Sequence, residues 1–132
     1  MNFTISELCV SNKARELKIN NIPTDAQTMD NLFYLITECL QPLRDKLKKP
    51  VIITSGYRNA QINKLVGGVA NSQHKTGQAA DIHVNGMRPQ QLVDFIVKSG
   101  IEYDELINEY DSWIHISYAK GKNRKQAPFK IG

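Results

Sequence analysis

The sequence predicts an α+β domain in which a small, mainly antiparallel sheet packs against helices. Its first half holds a long series of apolar residues at three- and four-residue spacing, the signature of a core-facing helix. Its second half holds short β-branched runs bounded by Gly, Asn and Asp, the signature of short strands. Helices precede and interrupt those strands, and no internal repeat or low-complexity linker is present, which is the α+β order rather than a bundle or a solenoid.

The elements follow in order. Thr4 with Glu7 three residues on is a capping-box pattern that opens a short N-terminal helix, broken by Asn20-Asn21-Ile22-Pro23. Thr24 or Asp25 caps the next helix, whose apolar positions are Met29, Leu32, Phe33, Ile36, Leu40, Leu43 and Leu47. Pro42 has no amide N–H and is expected to kink or divide it. After Pro50, the run Val51-Ile52-Ile53-Thr54-Ser55 predicts a strand buried on both faces, ending at Gly56-Tyr57-Arg58-Asn59. Ala60 to Val66 predicts a short helix stopped by Gly67-Gly68, and Ala79 to Val84 a second strand with Asp81 and His83 on one face. Arg88-Pro89 opens a helix with apolar positions Leu92, Val93, Ile96 and Val97, closed by Gly100. Glu105 to Tyr110 and Trp113 to Tyr118 predict two strands joined by a tight turn near Asp111-Ser112.

At 132 residues the chain is expected to form one domain over 1–132, with its core over about 24–118 and a basic tail over 119–132. Hydrophobic residues make up 41% and charged residues 23%, which excludes an intrinsically disordered chain. The net charge is +4, but Lys120, Lys122, Arg124, Lys125 and Lys130 cluster near the end. That run reads as a solvated tail; aromatic residues do not alternate with its charges, so nucleic acid is not the expected partner, whereas contact with an anionic wall polymer fits. No apolar stretch approaches the roughly 20 residues needed to span a bilayer. The N-terminus lacks the basic and apolar regions of a signal peptide, so cytoplasmic synthesis is expected, with a separate release route to any target outside. Cys9 and Cys39 lack CxxC spacing and are expected to be buried free thiols in a monomer.

The stretch Ser72 to Val84 carries the chemistry. It sets His74 in a polar, Gly-containing turn and Asp81 in an apolar run, where a carboxylate needs compensation by a cation or hydrogen bonds. With His115 from a later strand, these form a candidate two-histidine, one-carboxylate site, the N and O donor set of catalytic zinc. Such a metal would lower the pKa of water towards about 7. Glu109, at the end of the preceding strand, is the favoured general base, and Asp111, nearer in sequence, is the rival. Arg58, always charged, suits an oxyanion or a substrate carboxylate. Ser72, Gln73 and Tyr57 are candidate substrate contacts; His83 is a supporting residue or an alternative ligand to His74, and Trp113 a supporting residue.

Ser55-Gly56-Tyr57-Arg58-Asn59, Asn71-Ser72-Gln73-His74 with Gly77, Ala79-Ala80-Asp81 and Trp113-Ile114-His115 together resemble the zinc D-alanyl-D-alanine carboxypeptidase family. That family includes phage endolysins that cut L-alanyl-D-glutamate bonds and vancomycin-resistance D,D-dipeptidases, and it shares its fold with the amino-terminal domain of hedgehog proteins. The resemblance spans about Pro50 to Tyr118. It implies a zinc peptidase acting on peptidoglycan stem peptides, as a carboxypeptidase or an endopeptidase, in a signal-less form suited to phage lysis or a virion. It matches His74, Asp81 and His115 to the zinc ligands and Arg58 to the transition-state arginine. Many members carry the acid three residues before the last histidine, where this chain has Ser112; Glu109, six residues before it, matches the spacing of hedgehog-type domains. The alternative implied by that fold is a zinc-containing binding module without turnover.

Overall fold

The computed structural model describes residues 2–125 and 129–131, with backbone alone for Phe129 and Ile131. Its centre is a sheet of order β1-β2-β4-β3-β5, formed by β1 (Ile52–Ser55), β2 (Ala79–His83), β3 (Leu106–Glu109), β4 (Trp113–Ser117) and β5 (Phe129–Ile131). The first four strands pair antiparallel, and the short β5 joins β3 in parallel at the far edge. The expected α+β architecture is therefore observed.

One face of the sheet is apolar. Ala80, Ile82, Leu106, Ile114 and Ile116 are fully buried there, against Leu32, Leu35, Leu40 and Leu43 of the long helical segment and Leu92 and Ile96 of a later helix. The period of two sends Asp81, Ile107, Glu109, Trp113 and His115 to the opposite face. The register places Asp81 directly across from His115, and a bulge between Ile53 and Ser55 places Ser55 across from Asp81.

The long helical segment is α3 (Ala26–Leu35), capped by Asp25 Oδ2 accepting from Thr28 N, then a π-helical turn (Ile36–Leu40), then α4 (Gln41–Leu47). Pro42 cannot make the ordinary bond back to residue 38, and the wider turn lies immediately before it. The division thus occurs as a change of helical pitch rather than a break. The buried stripe is Leu32, Leu35, Ile36, Cys39, Leu40 and Leu43; Phe33, expected in the core, is 51% exposed and meets Tyr34 edge-on, and Met29 lies at the stripe's margin. After the short α5 (Ala60–Leu65), Val97 is likewise exposed on α6 (Pro89–Ser99), while Leu92, Val93 and Ile96 are buried.

Other expectations are corrected. The N-terminal helix is two helices, α1 (Ile5–Leu8), capped by Thr4, and α2 (Asn12–Leu17), capped by Ser11 and ended by Lys18 in the left-handed region. Phe3, Leu8, Cys9 and Ala14 are buried, so the core begins well before residue 24. The strand over 51–55 is half-buried rather than buried on both faces, because β1 is an edge strand with a single neighbour. The turn after β3 is centred on Tyr110-Asp111, one residue earlier than expected. The basic end is not simply solvated: Arg124 pairs with Asp104, Lys125 with Glu102 and Lys120 with Glu38, three acids distant in sequence. Residues 126–128 and 132 of that tail lie outside the described residues. Cys9 and Cys39 are free and buried, and burial pushes the Cys39 thiol up to about 12. No helix among the described residues is long and apolar enough to cross a membrane.

Candidate metal centre and its cavity

His74 sits in a single 3₁₀ turn, Gln73–Thr76, started by Ser72 Oγ accepting from His74 N and ended by Gly77. Gly77 has φ +75°, and a Cβ there would stand 2.9 Å from Leu32 Cγ and Thr28 O, so no other residue fits without displacement. Gly56 is constrained on the other side: a Cβ would collide with Leu8 O, the atom that accepts from Tyr57 N. Gly56 thus lets the loop after β1 approach Leu8, and Gly77 lets the 3₁₀ turn seat against α3; between the two segments, Arg58 N donates to His74 O at 3.0 Å.

His74 Nδ1 lies 2.7 Å from Gly56 O, which can only accept, so Nδ1 carries a proton. In the neutral ring Nε2 is then a bare lone pair, and it faces Asp81 Oδ1 at 3.2 Å. His115 Nδ1 faces the same oxygen at 3.3 Å. Lone pairs of a carboxylate and two imidazoles cannot converge unless a proton or a cation lies among them. The three donor atoms lie within 4.8 Å of one another, and the three side chains are only 3%, 14% and 11% exposed in the order His74, Asp81, His115. The carbonyl behind His74 fixes its tautomer, as carbonyl partners do behind metal-binding histidines. The donor set therefore fits a divalent metal of zinc type, with a coordination position left over.

The centre lies in the wall of a cavity of about 790 Å³, whose lining also includes Arg58, Ser72, Gln73, Glu109 and Trp113. Burial alone would raise the Asp81 carboxyl, but hydrogen bonds from His115 and His74 outweigh it and hold the group well below the usual carboxylate range. Glu109 is moved the other way, first by burial and then by the charge of Asp81. Burial draws the Arg58 guanidinium down while Asp81 and Glu109 support its charge; its Nε is buried without a partner. Trp113 Nε1 and Gln73 Oε1 are likewise buried and unpartnered.

Three expected site residues stand elsewhere. Tyr57 is 9% exposed and packs in the core, while the next residue, Arg58, lines the cavity. His83 pairs with Ile52 near the end of β2 and is not in the metal-capable group, which takes its first histidine from the 3₁₀ turn. Asp111 serves the hairpin turn, where its N–H donates to Asn108 Oδ1 at 3.1 Å, and it does not line the cavity. Sequence reasoning missed Glu105, Tyr110 and Arg124, which also line it. Arg124 had been grouped with the basic tail, and Tyr110 carries no motif.

A polar cavity holding a metal-capable triad beside a second carboxylate and an arginine is the architecture of a metallohydrolase. The sequence matches the family described as peptidase M15 over residues 1–117, and the chain belongs to that family of metallopeptidases. No curated protein matches it.

Proposed function

We propose that this protein is a zinc peptidase cutting the stem peptides of peptidoglycan, with His74, Asp81 and His115 as the metal ligands. The observation that carries this reading is the convergence on one cavity of that triad, of Glu109 with raised proton affinity, and of Arg58 with an unpartnered buried N–H. Zinc, when bound, supplies Lewis-acid polarisation and makes water more acidic.

The chain's own residues divide the remaining work. Glu109 accepts the proton of the attacking water and returns it to the leaving amine, a role that suits a carboxylate whose proton affinity is raised above its ordinary value. Arg58 stabilises the charge that develops on the carbonyl oxygen; its half-buried position strengthens that interaction relative to water. Gly56 O holds His74 in one tautomer and orientation. Asp81, committed with His74 and His115 to holding the metal, does not compete with Glu109 for the proton. The carboxypeptidase and endopeptidase forms of the activity are the two that the family resemblance suggests, and they are distinguished by products; action at the wall after release, as in phage lysis, belongs to the same proposal.

The test is incubation of the protein, loaded with one equivalent of zinc, with purified muropeptides, followed by mass spectrometry. Loss of a terminal D-alanine identifies a carboxypeptidase, and a cut between L-alanine and D-glutamate an endopeptidase. Intact substrate with zinc demonstrably bound would instead favour the non-catalytic binding module.

A further inference from the structure

We propose that Tyr110 is a substrate-contacting residue that grips the substrate at the mouth of the cavity with the face of its ring. The nature of the ligand rests on the peptidase reading above. The first observation is conformational. Tyr110 and Asp111 are successive left-handed residues, with φ 57° and 52°, in the turn that joins β3 to β4. Turns of this hand favour Asn, Asp and Gly. Asp111 suits its place and is tied to Asn108. A bulky aromatic at φ above zero is strained. Burial does not offset that strain, because Tyr110 is 60% exposed.

The second observation is position. Tyr110 follows Glu109, lines the same cavity as the metal-capable triad, and its ring centroid lies 6.0 Å from that of Trp113 at 49°. Val66 and Val69, also cavity-lining, are 44% and 67% exposed. The floor of the cavity is thus polar and charged, while its rim sets the uncharged faces of Tyr110, Val66 and Val69 beside the exposed Arg124. A tyrosine ring presents a large, rigid contact area at low entropic cost. The chemistry it takes is an uncharged, C–H-rich face: a short aliphatic side chain of the stem peptide, or the sugar to which that peptide is attached.

Tyr110→Asn deletes the ring and keeps the turn; Tyr110→Phe keeps the ring. The probes are a stem pentapeptide, free and linked to its disaccharide, with the zinc-loaded protein. For Tyr110→Asn, KM is expected to rise about 5- to 10-fold at unchanged kcat, as for loss of one aromatic contact. Its melting temperature is expected to rise by about 3 °C as the strain is relieved. Tyr110→Phe keeps the wild-type KM. A rise with both probes places the ring on the peptide, and a rise with the disaccharide-linked probe alone places it on the sugar. Trp113 is the one tryptophan of the chain, so its fluorescence reads binding even where no cleavage occurs. Binding without turnover would therefore overturn the peptidase reading and leave this one standing. Equal affinities of wild type and Tyr110→Asn for both probes, or a rise in KM accompanied by a fall in melting temperature, would overturn this one.

Discussion

Asp104→Asn tests the link between the basic C-terminal segment and the wall of the metal centre. Asp104 is 2% exposed, and its carboxylate accepts from Arg124 N at 2.9 Å and from Arg124 Nε, Arg124 Nη2 and Gln73 Nε2, each at 2.8 Å. Gln73 immediately precedes His74, so residue 124, beyond the matched residues 1–117, is two contacts from a metal-capable histidine. The hydrogen bond from the Arg124 side chain is the largest cause that lowers the Asp104 carboxyl from 3.8 to about 2. A shift of that size sets an upper bound of about 2 kcal/mol of stability. The Arg124 side chain is 53% exposed and water screens it, which reduces the contribution to about 1 kcal/mol.

Because folding lowers this proton affinity, the contribution is complete above the unfolded-state value and disappears as the pH falls from about 4 to about 2. Urea denaturation of wild type and Asp104→Asn at pH 7 should therefore differ by about 1 kcal/mol, equivalent to about 3 °C in melting temperature. At pH 3 about half of that difference should remain. A difference that is the same at both pH values would show that Asp104 acts through packing rather than charge, and the reasoning would fail.

Two further predictions concern the cavity. Glu109→Gln should lower kcat by about 10²- to 10⁴-fold. In the metal-free protein, folding raises the proton affinity of Glu109 and its ionised form weakens the fold at neutral pH, so the same variant, stripped of metal, should melt higher at pH 7 and equally at pH 4; a lower melting point at pH 7 would contradict the assigned environment. Arg58→Lys should lower kcat about 10²-fold in steady-state assays with little change in KM, because a single ammonium does not reproduce the forked donor set, and a purely KM effect would place Arg58 on the ground-state substrate instead.

The parts of the site legible in the sequence are those governed by local periodicity. His74 belongs to a glycine-ended turn, and Asp81 and His115 stand at polar positions of alternating strands, so the alternation alone puts both on the open face. Glu109 and Asp111 could not be separated by spacing, since the choice depends on a hairpin whose left-handed pair takes Asp111 into the turn. Tyr57 is adjacent to Arg58, and only one of two neighbouring residues on this segment faces the cavity; the tertiary contacts of Tyr57 with the core, which no local pattern carries, decide that it is Arg58. The basic tail was misread for a different reason: Asp104, Glu102 and Glu38 are distant acids, and no local pattern announces that they meet Arg124, Lys125 and Lys120. The two-sided burial expected of β1 depended on sheet order, which a single run of β-branched residues does not carry.

The separation of the two carboxylates is what makes the cavity more than a binding cleft. Asp81 and Glu109 belong to strands on either side of β4 and line the same cavity, so identical surroundings would leave them to titrate together. In the metal-free site two imidazoles hold Asp81 ionised, while burial and the charge of Asp81 raise Glu109; a bound metal would take over the first role and leave burial to act on the second. The proton therefore has one preferred seat. Titratable groups driven apart by their environments are the usual mark of divided labour in a site, with one group left to hold charge and the other to carry a proton. A purely structural metal site needs the first kind of group and has no use for the second, whose raised proton affinity only weakens the fold. The position of Glu109, half-buried and open to the cavity, is accordingly the feature that argues for turnover over binding alone.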